Sequence, residues 1–112
     1  MSLERLDLQA AFAAIGETWS PRVVAQVNDT DVKLVRLDGE FEWHHHERED
    51  ELFLVVKGQL AMHLRERTVE LGPGQMIVVP RGVEHCPEAR GECWVMLVEP
   101  STTLRRGNLD AH

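Results

Sequence analysis

Three histidines and one glutamate form the most informative pattern in this chain. His44 and His46 are two residues apart, so on an extended strand their side chains lie on the same face. Glu51 follows a polar stretch that can turn the chain back, and His85 is distant in sequence and reaches the others only through the fold. Imidazole and carboxylate donors suit zinc, iron, manganese, nickel or copper. The pattern therefore predicts a site for a divalent transition metal.

The acidic position and the neighbouring histidines allow alternatives. Glu49 or Asp50 can replace Glu51 as the acidic ligand if the turn is tighter. His45 lies between two candidate ligands, so alternation along a strand turns it to the opposite face and we do not expect it to bind the metal. His63 lies on a predicted strand, and we interpret it as a surface or hydrogen-bonded histidine rather than a fifth ligand.

One helix is predicted near the N-terminus, over about residues 7–15. Asp7 can cap it, Phe12 and Ile15 share one of its faces, and Gly16 can end it. We expect the apolar face of this helix to pack on the outside of the domain or on a partner chain.

The rest of the chain is predicted to be β. Short runs rich in β-branched and apolar residues alternate with turn signals, and their even spacing is typical of a sandwich or barrel. The barrel is expected over about residues 22–100, followed by a loose tail over 101–112. The predicted strands are 22–28, 32–37, 52–56, 60–65, 68–71, 76–79 and 93–98.

The bulk properties predict a single cytoplasmic domain spanning residues 1–112. The chain has 19 acidic and 12 basic residues and a net charge of −7, which argues against nucleic acid or an anionic membrane surface as a partner. We find neither a signal peptide nor an apolar run long enough to cross a membrane. The two cysteines, Cys86 and Cys93, are expected to be reduced thiols, with Cys86 facing away from the neighbouring His85.

Two motifs make the chain resemble the cupin superfamily. The first contains two glycines, the His-x-His pair and the glutamate: Gly39, His44, His46, Glu51 and Gly58. The second has the family's spacing of glycine, proline and histidine: Gly74, Pro80, Gly82 and His85. There are two departures. One residue fewer than usual separates Gly39 from His44, and Ala89 stands where the family often has asparagine.

The resemblance implies that His44, His46, Glu51 and His85 are the metal ligands. It also implies an all-β fold, a cupin-type jelly-roll β-barrel with one short N-terminal helix, holding the metal near one mouth and commonly forming a homodimer. The stretch from Trp43 through Gly58 is similar to that of small single-domain cupins often labelled mannose-6-phosphate isomerase-like. That label describes the fold and not an activity.

These observations predict a metal-dependent enzyme that acts on a small polar molecule inside the barrel. The alternative is a non-catalytic module for binding or sensing a small ligand, in which the metal anchors the ligand or the fold. Arg81 and Glu84 flank the second motif and can either reach the mouth or remain solvated turn residues. Because metal binding requires neutral imidazoles, we expect acid to remove metal-derived stability. We expect the metal-free protein to depend less on pH.

Overall fold

A computed structural model describes residues 3–104 and 107. Within these residues the chain forms one short helix and seven strands, so the prediction of an all-β fold with an N-terminal helix is confirmed. None of the described helices has the length and apolar character needed to cross a bilayer. The elements are α1 Leu8–Ala13, β1 Arg22–Val27, β2 Thr30–Glu40, β3 Glu51–Lys57, β4 Leu60–Leu64, β5 Thr68–Leu71, β6 Met76–Val79 and β7 His85–Pro100.

Strand β7 organises the sheet. β2 runs antiparallel along one side of it, while β4 pairs with its first part and β3 with its last part. β1 and β6 extend the sheet beyond β2 and β3, and β5 pairs with β4. Strand β7 therefore joins β4 and β3 within one curved, barrel-like sheet. A residue at the start of β7 can approach residues at the start of β3.

The sequence predicted only residues 93–98 of this strand, whereas β7 begins eight residues earlier at His85. The first half of β7 does not look like a strand in the sequence, because it contains Pro87, Gly91 and several charged residues. Proline lacks a backbone donor, and glycine disfavours strands. Pro87 is accommodated because it pairs with Met62 and its carbonyl accepts the backbone N–H of Phe41 at 2.9 Å. His85 therefore belongs to a strand rather than to a turn.

Helix α1 is shorter than predicted, but it packs through the predicted face. The Asp7 carboxylate accepts the backbone N–H of Ala10 at 3.0 Å, which confirms the cap. Phe12 is buried and stacks on Trp94, with ring centroids 5.0 Å apart. The helix thus rests on the outer face of its own sheet, and its apolar face is covered without a partner chain.

The predicted tail lies partly outside the described residues, which end at 104 apart from residue 107. In its described part, residues 101, 102 and 104 are exposed, and the loose tail remains a prediction. Thr103 is buried, and the Thr102 hydroxyl donates to the Glu49 carboxylate at 2.9 Å. Gly107 lies against the backbone of His45, where an added β-carbon would be 2.4 Å from the carbonyl oxygen.

Gly58 is expected to be the least replaceable glycine in a hairpin turn. Its φ is +91°, and a β-carbon there would lie 2.5 Å from the backbone oxygen of Glu92. Gly58→Ala combines backbone strain with a clash, so we expect it to lower the free energy of unfolding by about 3 kcal/mol. Gly74 has a similar φ of +83° with open space around it, so Gly74→Ala should cost only about 1 kcal/mol. Urea unfolding measures both, and equal losses would contradict the packing argument.

Candidate metal centre

The fold brings together all four residues that the sequence selected. One side-chain donor atom from each of His44, His46, Glu51 and His85 lies within 4.8 Å of the others, and all four residues are buried. Glu51 begins β3 and His85 begins β7. His44 forms an isolated antiparallel bridge to His85, with N–O distances of 3.0 and 2.9 Å. This backbone bridge sets the distance between the two motifs.

The turn of the second motif is attached to the first motif by further hydrogen bonds. The backbone N–H of Gly82 donates to the carbonyl of His46 at 2.7 Å, and that of Arg81 donates to the Asp50 carboxylate at 2.8 Å. Asp50 therefore stabilises the turn, as Glu49 stabilises the start of the tail. Among the acidic residues of this stretch, the described structure places Glu51 with the three imidazoles.

Backbone carbonyls fix the orientation of two imidazoles. His44 Nδ1 lies 2.9 Å from the carbonyl oxygen of Glu42, and His85 Nδ1 lies 3.0 Å from that of Val83. A carbonyl oxygen only accepts, so each Nδ1 carries the proton. The Nε2 atom of each ring therefore presents a lone pair, as in metal-binding histidines whose outer nitrogen is held by a carbonyl.

Several polar atoms inside the cluster have no hydrogen-bond partner. They include Nε2 of His46 and of His85 and Oε1 of Glu51. The two Nε2 atoms lie 3.3 and 3.4 Å from that oxygen, without the geometry of a good hydrogen bond. Leaving such atoms unpaired in a buried site costs about 1–3 kcal/mol each. A cation that accepts these lone pairs would remove the cost, so the residues fit a divalent metal.

The electrostatics keep the donors in the form that binds metal. Burial, with the neighbouring His85, lowers the pKa of His44 to about 4, so its ring is neutral at pH 7. Burial tends to raise the pKa of Glu51, but contacts with His46 and His85 outweigh it and hold the pKa below the usual range. The metal-free protein is expected to depend less on pH than the metal-bound one, but His44 gives it some dependence. Below pH 6.5 His44 resists the proton that the unfolded chain accepts, and this destabilises the fold.

Glu99 is a buried residue of this region that the sequence analysis missed. It lies on β7 beside Glu51, and Lys33 Nζ donates to its Oε2 at 2.9 Å. Burial and the nearby Glu51 carboxylate raise the pKa of Glu99 to about 9. The alternation Val95, Leu97, Glu99 was the available signal, because it places a carboxyl group on the inward face of a strand.

A cavity with about 50 Å³ of space for water-sized molecules is lined by two of the four donors and eight other residues. His44 and Glu51 are the polar residues of its lining, and the others are three aromatic side chains, three aliphatic ones and two prolines. Phe53, on β3, is one of the three aromatic residues of this lining. Trp19 and Phe41 line it too, although neither was a candidate and no local sequence pattern marks them.

The remaining candidates lie outside the cluster. His45 is not among its members, as alternation predicted. His63 contacts Thr68 and Glu88, each at 2.8 Å, in a separate group on the outer surface. Glu84 pairs with Arg65 at 3.1 Å and does not line the cavity. Cys86 is buried, and burial raises its pKa to about 11, so it remains a thiol.

The family model "Cupin domain" matches residues 31–99, which is more than half of the chain, and the chain therefore belongs to the cupin family. A cupin-2 domain containing protein from Shewanella frigidimarina is 43% identical, with a TM-score of 0.83 over 85% of this chain and 93% of that one. A Neisseria meningitidis protein, NMB1881, is 31% identical, with a TM-score of 0.79 over 88% of this chain and 100% of that one.

The uncharacterized protein YdbB of Bacillus subtilis strain 168 is 36% identical over 63 residues. This match covers 55% of the present chain and 56% of YdbB, so it spans little more than half of that relative. These relatives support the cupin fold and a shared domain. They do not distinguish the mannose-6-phosphate isomerase-like subtype from other small cupins.

Glu99 is expected to make the metal-free protein less stable as the pH rises from 7 to 9. The unfolded chain releases this proton near pH 4.5, whereas the folded protein keeps it until about pH 9. The free energy of unfolding should therefore fall with pH, by at most about 1.4 kcal/mol per pH unit. His44 contributes little over this range, because its folded pKa of about 4 and its ordinary value of 6.5 both lie below pH 7.

Glu99→Gln should abolish the slope, as measured by chemical unfolding after chelator treatment. Glu92→Gln is the matched control. Arg36 holds the pKa of the exposed Glu92 below its usual range, so Glu92 is ionised throughout. Parallel pH profiles for wild type and Glu99→Gln would contradict the assignment.

Proposed function

We propose that His44, His46, Glu51 and His85 hold a divalent transition metal and that the protein is a metal-dependent enzyme acting on a small molecule inside the barrel. The observation that carries this proposal is the convergence of four buried donors, several with unpaired atoms, beside an open cavity. When bound, a metal of this kind supplies a Lewis acid or a redox centre.

The surrounding residues have distinct parts in this function. The carbonyls of Glu42 and Val83 hold the rings of His44 and His85 with Nε2 directed inward, so little reorientation is needed on binding. Glu99 packs beside Glu51. Its carboxyl group accepts a hydrogen bond from Lys33 on β2, so Glu51 is linked to β2 through Glu99. The apolar cavity wall excludes water from the bound molecule, which strengthens electrostatic interactions at the site.

The second candidate is a non-catalytic module that binds or senses a small ligand. Among the described residues that line the cavity, His44 and Glu51 are the titratable ones, and both belong to the proposed ligand set. No separate general acid or base is therefore present in that lining. Turnover in a substrate screen with zinc, iron, manganese, nickel or copper favours the enzyme. Ligand binding without turnover favours the module.

His85→Ala should remove most of the bound metal and leave a folded barrel. It deletes one donor of four, while the apolar core of the sheet is unchanged. His45→Ala is the matched control, because the neighbouring ring is outside the cluster and should leave the metal content almost unchanged. Both variants are purified without a metal-affinity step and measured by elemental analysis, with circular dichroism as the test of folding. Equal metal loss from both would refute the ligand assignment.

We also propose that the protein is a cytoplasmic homodimer. Both cysteines are free, as expected in a reducing compartment. Exposed apolar side chains lie on two edge strands of the sheet, Val23 and Val27 on β1 and Met76 and Val78 on β6. Unpaired edges with apolar side chains favour association between chains.

Light scattering at micromolar concentration should give the mass of two chains. The double variant Val23→Lys/Val27→Lys tests the β1 edge, and Met76→Lys/Val78→Lys tests the β6 edge. We expect one of the pairs to yield monomers, because lysine on an edge strand opposes pairing. A monomer mass for the wild type would contradict the dimer.

A further inference from the structure

The cavity beside the four donors has an aromatic wall, formed by Trp19, Phe41 and Phe53. Trp19 and Phe41 stack with centroids 5.1 Å apart and an interplanar angle of 15°. Phe41 and His44 form a T-shaped pair with ring centroids 5.3 Å apart, and Phe53 and His85 form another with centroids 6.0 Å apart. The aromatic wall thus runs from the mouth of the cavity to the imidazoles of the proposed metal site.

Trp19 is held in place by three interactions. Its backbone N–H donates to the carbonyl of Arg36 at 2.8 Å, its indole N–H donates to the carbonyl of Asp38 at 2.9 Å, and its ring stacks on Phe41. Trp19 belongs to the segment that precedes β1, but both carbonyls belong to β2, so its side chain is held by the sheet. These contacts therefore set the position of the indole relative to β2.

The backbone of Trp19 is in an unfavourable conformation. Its φ is +61°, in the left-handed region that bulky side chains rarely adopt. Such conformations cost free energy and persist where the surrounding structure imposes them, often at functional sites. Here the strained backbone turns the large flat ring of Trp19 toward the cavity. A smaller side chain at this position would leave the mouth of the cavity wider.

The charge of the cavity lining excludes several ligand classes. The described residues that line it include neither lysine nor arginine. A phosphorylated sugar would bring a dianion and many hydroxyl groups to a wall that offers few hydrogen-bond partners. The polar part of a ligand must therefore be small and must face His44 and Glu51.

We propose that the cavity takes a small molecule with a flat apolar ring packed on the aromatic wall and an oxygen donor directed at the His44–Glu51 end. The oxygen donor rests on the proposed metal-dependent function, whereas the ring preference rests on Trp19, Phe41 and Phe53. The sequence predicted a small polar molecule, and the aromatic wall narrows this prediction to a molecule that is polar at one end.

The test compares benzohydroxamate with acetohydroxamate on the zinc-loaded protein by titration calorimetry. The two probes carry the same chelating group and differ by the ring. We expect benzohydroxamate to bind at least about tenfold more tightly, because its ring removes apolar surface from water. Mannose 6-phosphate should bind more weakly than either probe, and tighter binding of it than of benzohydroxamate would overturn the proposal.

Trp19→Ala should reduce the preference for benzohydroxamate to less than about threefold without changing the zinc content. Trp43→Ala is the matched control, because Trp43 lies under Arg65 outside the cavity lining and should keep the preference. If Trp19→Ala does not fold, Phe41→Leu provides the same test. Retention of the full preference in the folded variant would overturn the proposal.

The zinc content of the wild type separates two kinds of failure. A wild type that binds no zinc in elemental analysis refutes the proposed function, and the inference fails with it. A zinc-loaded wild type that binds both hydroxamates equally refutes the ring preference alone.

Discussion

The antiparallel bridge between His44 and His85 is the contact on which the whole site depends. Its two backbone hydrogen bonds join the first motif to the first residue of the long central strand. The side chains of paired residues in antiparallel backbone lie close together, so the bridge brings two imidazoles into one cluster. A further hydrogen bond, from the Gly82 N–H to the His46 carbonyl, joins the turn before β7 to the first motif. The bridge between His44 and His85 therefore holds the four polar side chains together inside the barrel.

The buried position of the cluster determines its chemistry. Desolvation lowers the pKa of His44, and contacts with the imidazoles keep Glu51 ionised, so the donors stay in their deprotonated form. Two carbonyls set the tautomers of His44 and His85, and the Lys33–Glu99 pair stands behind Glu51. Burying these groups costs free energy, and a cation bound to their unpaired atoms would offset that cost. These buried donors form a group that could hold a metal, which is the occupant that we propose.

The cavity gives the site its selectivity. An apolar wall with polar groups at one end admits molecules that bury a ring and present one or two oxygens, and it disfavours highly charged ones. Trp19 has a special role here, because β2 holds the indole across the cavity at the expense of a strained backbone. The same wall suits an enzyme that must exclude water and a module that only binds. The two candidate functions therefore differ in chemistry at the donors rather than in the shape of the cavity.

The sequence by itself determined the fold class and singled out the four candidate donors, because alternation along strands and motif spacing are local properties of the chain. His44 and His46 share a face by periodicity, and Asp7 could be recognised as a cap from its position. Only the tertiary structure decided that β7 begins at His85, that Glu99 stands beside Glu51, and that Trp19 and Phe41 wall the cavity. Those facts depend on pairing between strands distant in sequence, such as β2 with β7, and on hydrogen bonds from Trp19 to β2. Non-local contacts of this kind leave no periodic trace in the chain, and so only the folded structure could show them.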